Sequence, residues 1–266
     1  MNWQGKVAIV TGGASGIGAA TAREFAAGGA TVVIFDINSA GGRQVVDEVQ
    51  AGGARTAHFR QVDVSDADAC RAAVLEVAAL LGRVDYLVND AASFIGKGLD
   101  VTTADWERSL GVNVRGYANM VQACLAPMRA AGGGAVVNVS SISAHVAQPN
   151  RWTYNACKGA INTLTKCMAL DLAPHHIRVN TVSPGWIWTP EVAKAAGDDR
   201  AKWEPVWGRY HMLRRLGEPR EVARAVLFLC SDDASFITAA ELPVDGGYLG
   251  MGSEGLGDTS TFAGTE

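Results

Sequence analysis

The segment Thr11-Gly12-Gly13-Ala14-Ser15-Gly16-Ile17-Gly18 joins an apolar run, Val7–Val10, to an alanine-rich stretch of helical period that ends near Ala27. Glycines allow the backbone to turn sharply and to approach a bound group closely. A helix that begins there directs its free N–H groups and its positive dipole end at that group. The strand–turn–helix order therefore predicts a site for the pyrophosphate of a dinucleotide, although tight turns contain glycine for other reasons as well.

Asp36 supports this prediction. It follows the second apolar run, Thr31–Phe35, 18 residues after Gly18. A carboxylate at that point accepts hydrogen bonds from the adenosine ribose 2′-OH and repels a 2′-phosphate. Ile37 comes next, with no arginine beside it to bind such a phosphate. The pattern favours NAD over NADP, and the alternative is that Asp36 is a turn residue or a helix cap.

The rest of the chain repeats the alternation of strand and helix. Short runs that are apolar on both faces, separated by stretches of helical period, are typical of a parallel sheet covered on both sides. The predicted fold class is α/β: a single-domain doubly wound Rossmann fold with an about seven-stranded parallel sheet over residues 1–249, followed by a tail at 250–266. We predict strands at 7–10, 31–35, 55–61, 84–88, 135–139, 177–182 and 241–244, and helices at 16–27, 40–50, 67–81, 103–131 with a bend near Gly111, 153–172 and 220–230.

Composition excludes several classes of function. Of the 266 residues, 48% are hydrophobic and 19% are charged, which suits a large core and not a disordered chain. The net charge of −4 argues against nucleic-acid binding, and no apolar stretch is long enough to span a membrane. Five cysteines without a C-x-x-C pair indicate reduced thiols in a cytoplasmic protein with no metal site.

One segment departs from the regular alternation of strands and helices. Residues 184–218 hold four tryptophans between a strand and a helix, and such a long excursion is typical of a lid or pocket wall. We expect a lid over residues 186–218. The alternative is a surface excursion with a small core of its own.

Tyr154 and Lys158 lie four residues apart and share one face of a predicted helix. An ammonium beside a phenol lowers the pKa of the phenol, which gives a general base for an alcohol or a general acid for a carbonyl. A chance pair on a helix surface is the alternative. The position of the pair favours the acid–base interpretation, because the strand before this helix ends at Ser140 and Ser141.

Taken in order, these motifs resemble the short-chain dehydrogenase/reductase family, in its single-domain branch. The resemblance covers about residues 3–249 and rests on Thr-Gly-x-x-x-Gly-x-Gly at 11–18, Asn89, Asn113, Ser141, Tyr154-x-x-x-Lys158 and Pro184-Gly185. It implies hydride transfer between a secondary alcohol and a nicotinamide cofactor. Residues 89–92 depart from the family pattern, since Asp90 and Ala92 stand where asparagine and glycine are usual.

The resemblance also implies residue roles. Tyr154 would transfer the proton, Lys158 would lower its pKa and hold the nicotinamide ribose, and Ser141 would polarise the substrate oxygen. Asn113 would anchor a water near the lysine in a proton relay. The implied cofactor-binding residues are Gly12, Ser15, Gly16, Ile17, Gly18, Asp36, Asp63, Val64, Asn89, Ala91, Tyr154, Lys158, Pro184, Gly185, Ile187 and Thr189. A homotetramer is implied too, with helices 103–131 and 153–172 packing across a two-fold axis.

The substrate is less well defined. A mixture of tryptophan and polar side chains favours a sugar or polyol and also suits a bulky cyclic alcohol. The candidate substrate-binding residues are Ser93, Phe94, Ser141, His145, Asn150, Trp152 and Trp186. Two other functions stay open: an NADPH-linked reductase of a bulky cyclic ketone, and a non-catalytic NAD sensor. Asp36 argues against the first, and the presence of Ser141, Tyr154 and Lys158 argues against the second.

Overall fold

A seven-stranded parallel sheet forms the centre of the protein, as seen in a computed structural model that describes residues 2–52 and 57–256, without the side chain of Glu254. The strands are β1 (Val7–Thr11), β2 (Thr31–Asp36), β3 (Ala57–Gln61), β4 (Tyr86–Asn89), β5 (Gly134–Val139), β6 (Ile177–Pro184) and β7 (Glu241–Val244). Their order in the sheet is β3-β2-β1-β4-β5-β6-β7. Every neighbouring pair is parallel, which confirms the predicted fold class.

Helices cover both faces of this sheet. The helices are α1 (Gly16–Ala27), α2 (Ser39–Ala51), α3 (Ala67–Leu81), α4 (Thr103–Leu110), α5 (Gly116–Ala130), α6 (Trp152–Leu172), α7 (Pro190–Ala195), α8 (Arg200–Gly208) and α9 (Pro219–Cys230). Helices α1 and α9 pack together on one face, and α3 and α5 pack together on the other.

Successive side chains of each strand point to opposite faces of the sheet, so the strands contribute residues to two hydrophobic cores. On β1, Val10 points into the core beneath α1 and α9, whereas Ile9 points into the core beneath α3 and α5. Ile34 and Val33 of β2 divide in the same way, and all four side chains are almost fully buried. Burying an aliphatic side chain of this size contributes about 1.5–3 kcal/mol. This two-sided burial is why the strands are apolar at successive positions.

The element boundaries differ from the predictions in a few places. The predicted helix at 103–131 is divided by a π-helical turn, Gly111–Arg115, which lies where a bend was expected. Strand β4 begins at Tyr86, two residues later than predicted, and β6 continues to Pro184. The first two residues of the predicted third strand, 55 and 56, lie outside the described residues, as does the tail beyond residue 256.

The segment expected to be a lid contains α7 and α8 and a stack of three indole rings. Trp207 lies between Trp186 and Trp203, with ring centroids 4.9 Å apart on each side. The segment therefore has a small aromatic core of its own, and Trp186 also lines the main cavity. Among the helices of residues 2–52 and 57–256, none combines the length and the hydrophobicity that crossing a bilayer requires.

Candidate active site

A cavity of about 1350 Å³ opens at the carboxyl ends of the strands, where the sheet order reverses between β1 and β4. Ligands of doubly wound sheets bind at such a point. Its volume exceeds the roughly 300–1,000 Å³ that is common for one small ligand. The cavity therefore has room for a cofactor together with a substrate.

The glycine-rich turn forms one wall of this cavity. Gly12 has a positive φ of +68°, and a Cβ there would lie 2.7 Å from the main-chain nitrogen of Ala91. A Cβ on Gly18 would lie 2.3 Å from the carbonyl oxygen of Gly12. Side chains at these positions would force the turn away from the end of β4. The bare backbone and the beginning of α1 instead form a cradle that fits a pyrophosphate group.

Asp36 lies at the cavity wall, at the end of β2. Its Oδ2 accepts a hydrogen bond from the Ala14 N–H (3.0 Å), and its Oδ1 accepts one from the Asn38 N–H (2.9 Å). A carboxylate can accept about four hydrogen bonds, so both oxygens keep capacity for a ribose hydroxyl. The side chain thus holds the local turn and also faces the cavity.

Most of the other cofactor residues implied by the family resemblance also line the cavity, and two do not. Gly18 packs beneath the turn instead of facing the cavity. Asn89 is fully buried, and its Nδ2 donates to Asn138 Oδ1 (2.9 Å), so its side chain joins β4 to β5 inside the sheet. Those on the wall are Gly12, Ser15, Gly16, Ile17, Asp63, Val64, Ala91, Tyr154, Lys158, Pro184, Gly185, Ile187 and Thr189.

Lys158 is a buried cation on α6. Its Nζ donates to the Val139 carbonyl oxygen (2.6 Å) and lies 3.5 Å from the Tyr117 hydroxyl. Burial lowers the pKa of Lys158, and the carboxyl of Asp90 opposes this change. Burial likewise raises the pKa of Asp90, while Lys158 lowers it. Each of the two groups therefore favours the charged form of the other, and burial opposes both charges.

Tyr154 lies one helical turn before Lys158, with its ring 5.5 Å from the lysine Nζ. The rings of Phe94 and Tyr154 form a T-shaped contact with a centroid distance of 5.1 Å. Burial raises the pKa of Tyr154 above 10, and interactions with Ser141 and with the Arg151 cation partly offset this rise. The ammonium of Lys158, which the family resemblance implies would lower this pKa, binds the Val139 carbonyl in this structure. Its effect on the Tyr154 phenol stays a prediction.

Ser141 follows β5 and is buried at the cavity wall. Its hydroxyl donates to Ser143 Oγ (3.1 Å), and Ser143 Oγ in turn donates to Gln148 Oε1 (2.6 Å). The neighbouring Ser140 hydroxyl donates to the Lys158 carbonyl (3.0 Å). An interaction with Ser141 lowers the pKa of Tyr154, whereas the Ser140 hydroxyl binds the backbone of α6.

Asn113 is buried in the π-helical turn. Its Oδ1 accepts from the Ser93 N–H (2.8 Å) and its Nδ2 donates to the Ser93 carbonyl (2.9 Å). The side chain thus fixes the loop after β4. The part of Asn113 in a proton relay stays a prediction. Because the side chain is bound to Ser93, the main-chain carbonyl of Asn113 would have to hold the water of that relay.

The candidate substrate residues divide into two groups. Ser93, Phe94, Ser141 and Trp186 line the cavity, whereas His145, Asn150 and Trp152 are not among its lining residues. His145 Nε2 lies 2.6 Å from Glu241 Oε1 and 3.2 Å from Asn162 Nδ2, so its side chain joins α6 to the beginning of β7. Asn150 is an exposed loop residue with a φ of 60°, and about half of Trp152 is exposed at the start of α6. The structure therefore does not bring the last three side chains to the wall of the cavity.

Sequence reasoning missed Arg151, which lines the cavity three residues before Tyr154. That spacing puts the two side chains on one side of the first turn of α6, and it was the signal available in the sequence. The guanidinium lies 5.0 Å from the centroid of Phe94 and 5.1 Å from that of Trp186.

Comparison with known proteins agrees with this architecture. A family model described as enoyl-(acyl carrier protein) reductase matches residues 12–249. A crystal structure of a short-chain type dehydrogenase/reductase from Mycobacterium marinum is 35% identical, with a TM-score of 0.85 over 93% of this chain and 96% of that one. The chain belongs to the short-chain dehydrogenase/reductase family, and it is an oxidoreductase that uses a nicotinamide cofactor.

Several curated relatives are similar over nearly their whole length. Cyclopentanol dehydrogenase of Comamonas sp. is 42% identical over 91% of this chain and 96% of its own. Cis-4-hydroxycyclohexanecarboxylate dehydrogenase of Sinomonas cyclohexanicum is 43% identical, with coverage of 92% and 97%. D-threitol dehydrogenase of Mycolicibacterium smegmatis is 40% identical, with coverage of 92% and 93%.

Proposed function

We propose that the protein is an NAD-dependent dehydrogenase of cyclic secondary alcohols. The observation that carries the proposal is the meeting of the Tyr154 phenol and the Ser141 hydroxyl at one cavity wall, with the Lys158 ammonium buried beside them. A proton acceptor, a donor to the substrate oxygen and a fixed positive charge are the groups that alcohol oxidation requires.

In the proposed reaction the Ser141 hydroxyl holds the substrate oxygen. Tyr154 Oη takes the hydroxyl proton as the carbon loses its hydride and the C–O bond becomes a carbonyl. Bound NAD supplies the hydride acceptor. Lys158, whose Nζ lies 5.5 Å from the centroid of the Tyr154 ring, stabilises the tyrosinate by its charge. The glycine turn, Asp36 and the end of β6 orient the two reactants.

The preference for NAD rests on Asp36. Its carboxylate faces the cavity at the end of β2, and Ile37 beside it is 60% exposed and carries no charge. An adenosine 2′-phosphate at this point would meet a negative charge, and Ile37, the next residue in the chain, offers it no cation. A ribose hydroxyl would instead meet a hydrogen-bond acceptor.

The proposal of a cyclic substrate is based on the residues of the cavity wall beside Tyr154. Phe94 and Trp186 present aromatic surfaces there, and the polar His145 and Asn150 that favoured a sugar lie elsewhere. Relatives named for cyclopentanol and for a hydroxycyclohexanecarboxylate support the same class. The relative named for D-threitol makes an acyclic polyol the second candidate.

The test is a panel of cyclopentanol, cyclohexanol, threitol and simple sugars with NAD or NADP, followed by the absorbance of the reduced cofactor. We expect cyclic alcohols to be oxidised with NAD, and Tyr154→Phe to lose about 10²- to 10⁴-fold in rate. Turnover of threitol or sugars alone would show that the substrate is a polyol or a sugar and not a cyclic alcohol. NAD binding without turnover on any compound, in either direction, would favour the NAD sensor.

We further propose that the active form is a homotetramer built on α4, α5 and α6. Light scattering of the purified protein tests this, and a monomer at micromolar concentration would contradict it.

A further inference from the structure

Arg151 stands between two aromatic rings at the cavity wall. Its guanidinium carbon lies 5.0 Å from the Phe94 centroid and 5.1 Å from the Trp186 centroid. Phe94 belongs to the loop after β4 and Trp186 to the start of the lid, so rings from two distant segments hold one cation. Contacts of this kind with ring faces fix the plane of a guanidinium while leaving its N–H edge able to bind a ligand.

The charge of Arg151 has no counter-ion in the described part of the chain. Within residues 2–52 and 57–256, no carboxylate with a described side chain lies within 4.0 Å of its guanidinium. In the same residues its one hydrogen bond is the donation from Nη1 to Gln148 Oε1 (3.3 Å). Arg151 is half-buried, and this burial lowers its pKa. Four of its five N–H donors therefore remain for a partner in the cavity.

We propose that the substrate carries a carboxylate and that Arg151 binds it. The proposal rests on the proposed function, since it defines which cyclic alcohol the Tyr154 site accepts. A planar guanidinium pairs with a carboxylate through two parallel hydrogen bonds, which is the chemistry that a lysine or a neutral donor at this position would not reproduce. A half-buried guanidinium that meets no carboxylate among the described side chains is poorly matched to a simple cycloalkanol, because that alcohol would offer it no charged partner.

The position of Arg151 limits the size of this hydroxy acid. The guanidinium carbon and the Tyr154 ring centroid both lie about 5 Å from the centroid of Phe94. They are therefore at most about 10 Å apart. One ring or a short chain between the carboxylate and the carbinol carbon spans such a gap, so the substrate is a compact hydroxy acid such as a hydroxycycloalkanecarboxylate.

A chain of hydrogen bonds connects this cation to the reacting end of the site. Ser141 donates to Ser143, Ser143 donates to Gln148, and Gln148 accepts from Arg151. Binding of a carboxylate that moved the guanidinium would change this chain at Gln148. The chain thus gives the carboxylate a means of positioning the Ser141 hydroxyl.

The experiment compares two alcohols that differ in charge. The kcat/KM values with NAD are measured for 4-hydroxycyclohexanecarboxylate and for cyclohexanol, using the wild type, Arg151→Gln and Arg151→Lys. We expect Arg151→Gln to lower the ratio of the two values by about 10- to 100-fold, the effect of one charge-assisted pair, and Arg151→Lys to restore part of it. Arg209→Gln, an exposed arginine of the lid, is the control and should leave the ratio unchanged.

Binding provides a second readout that does not depend on turnover. The Kd of cyclohexanecarboxylate and of the neutral cyclohexanecarboxamide is measured by tryptophan fluorescence, since Trp186 adjoins the guanidinium. We expect the wild type to bind the acid at least tenfold more tightly than the amide, and Arg151→Gln to remove that preference. Equal losses for both alcohols, or no preference for the acid over the amide, would overturn the proposal. Failure of the proposed function would be seen separately, as no tyrosine-dependent oxidation of either alcohol while the acid still binds.

Discussion

The carboxylate of Asp90 lies directly against Gly18: a Cβ added to that glycine would stand 2.9 Å from Asp90 Oδ2 and 2.3 Å from the Gly12 carbonyl oxygen. The end of β4, the glycine turn and the beginning of α1 are thus in direct contact with no space between them. Any change in side-chain volume at this point is transmitted to the pyrophosphate cradle.

We expect Gly18→Ala to weaken NAD binding at least tenfold and to lower the melting temperature, because the new methyl group must displace backbone atoms instead of a flexible side chain. Gly159→Ala is the matched control, since a Cβ at that helical position meets only the Ala144 carbonyl oxygen, at 3.9 Å. Titration of NAD by fluorescence and thermal melts measure both effects. Normal NAD affinity in Gly18→Ala would show that the turn can move.

Asp90→Asn tests the charge at the same contact. Burial raises the pKa of Asp90, so this carboxyl gains its charge as the pH rises through neutrality, and the charge opposes the phosphates of NAD. Lys158 and Asp36 are the other charged groups that act on it. We expect the variant to bind NAD more tightly than the wild type, by about 1 kcal/mol or fivefold in Kd, at high pH. The advantage should shrink as the pH falls toward 6, and an advantage independent of pH would contradict the assignment.

The residues that the sequence predicted well are those whose surroundings are local. The turn at 11–18, Asp36 and the helix that carries Tyr154 and Lys158 all follow from periodicity within one strand–helix unit. Asn89 and His145 were misplaced because their partners, Asn138 and Glu241, lie 49 and 96 residues away in the chain. Polar residues bound by such distant partners cannot be distinguished from ligand-binding residues in one sequence.

Arg151 was missed for the same reason, because the residues that it contacts in the cavity wall are distant in the chain. The rings that hold it come from residues 94 and 186, and neither distance can be read from spacing along the chain. Only the folded sheet brings the loop after β4 and the segment after β6 to the same edge. The sequence therefore predicted the class of reaction and a nicotinamide cofactor, and it did not predict the arginine in the cavity wall.

The pH dependence of oxidation should follow Tyr154. Burial raises the pKa of its phenol above 10, and the base form is the phenolate. Below that pKa the phenolate increases tenfold per pH unit, so kcat/KM for alcohol oxidation should rise across about pH 7 to 9. Ser141→Ala removes an interaction that lowers the pKa, and its profile should shift to higher pH. Tyr154→Phe should lose the slope, and a slope that survived would assign the base to another group.

Asp85 should stabilise the fold at neutral pH. Burial is the largest influence on its carboxyl and raises its pKa, but hydrogen bonds from Arg83 and the Val7 N–H, with the charge of Lys6, bring the pKa below 3.8. A pKa lowered by folding contributes stability above the unfolded value, and this stability is lost as the pH falls through the folded value. We expect Asp85→Asn to lower the unfolding free energy by about 1–3 kcal/mol near pH 7 and much less near pH 3.

Urea denaturation at the two pH values measures the effect of Asp85→Asn. Asp68→Asn is the control, because its side chain is 88% exposed and its partner Arg71 lies on the surface of the same helix. That variant should change the unfolding free energy by well under 1 kcal/mol. A loss at Asp85 that was equally large at both pH values would indicate a packing effect instead of a charge effect.

The indole stack of the lid should control how firmly the substrate wall is held. Trp207 lies between Trp186 and Trp203, and Trp186 in turn contacts Arg151. Trp207→Ala removes the ring that supports Trp186 from behind, so Trp186 gains freedom and its contact with the guanidinium weakens. We expect KM for the preferred alcohol to rise several-fold with a smaller change in kcat, because the lost interaction orients the substrate and does not touch the reacting atoms.

Val206→Ala, an exposed neighbour on α8, should leave both constants unchanged. A fall in kcat with KM constant would show instead that the lid acts on Tyr154, since Arg151 lies close enough to influence the pKa of that phenol.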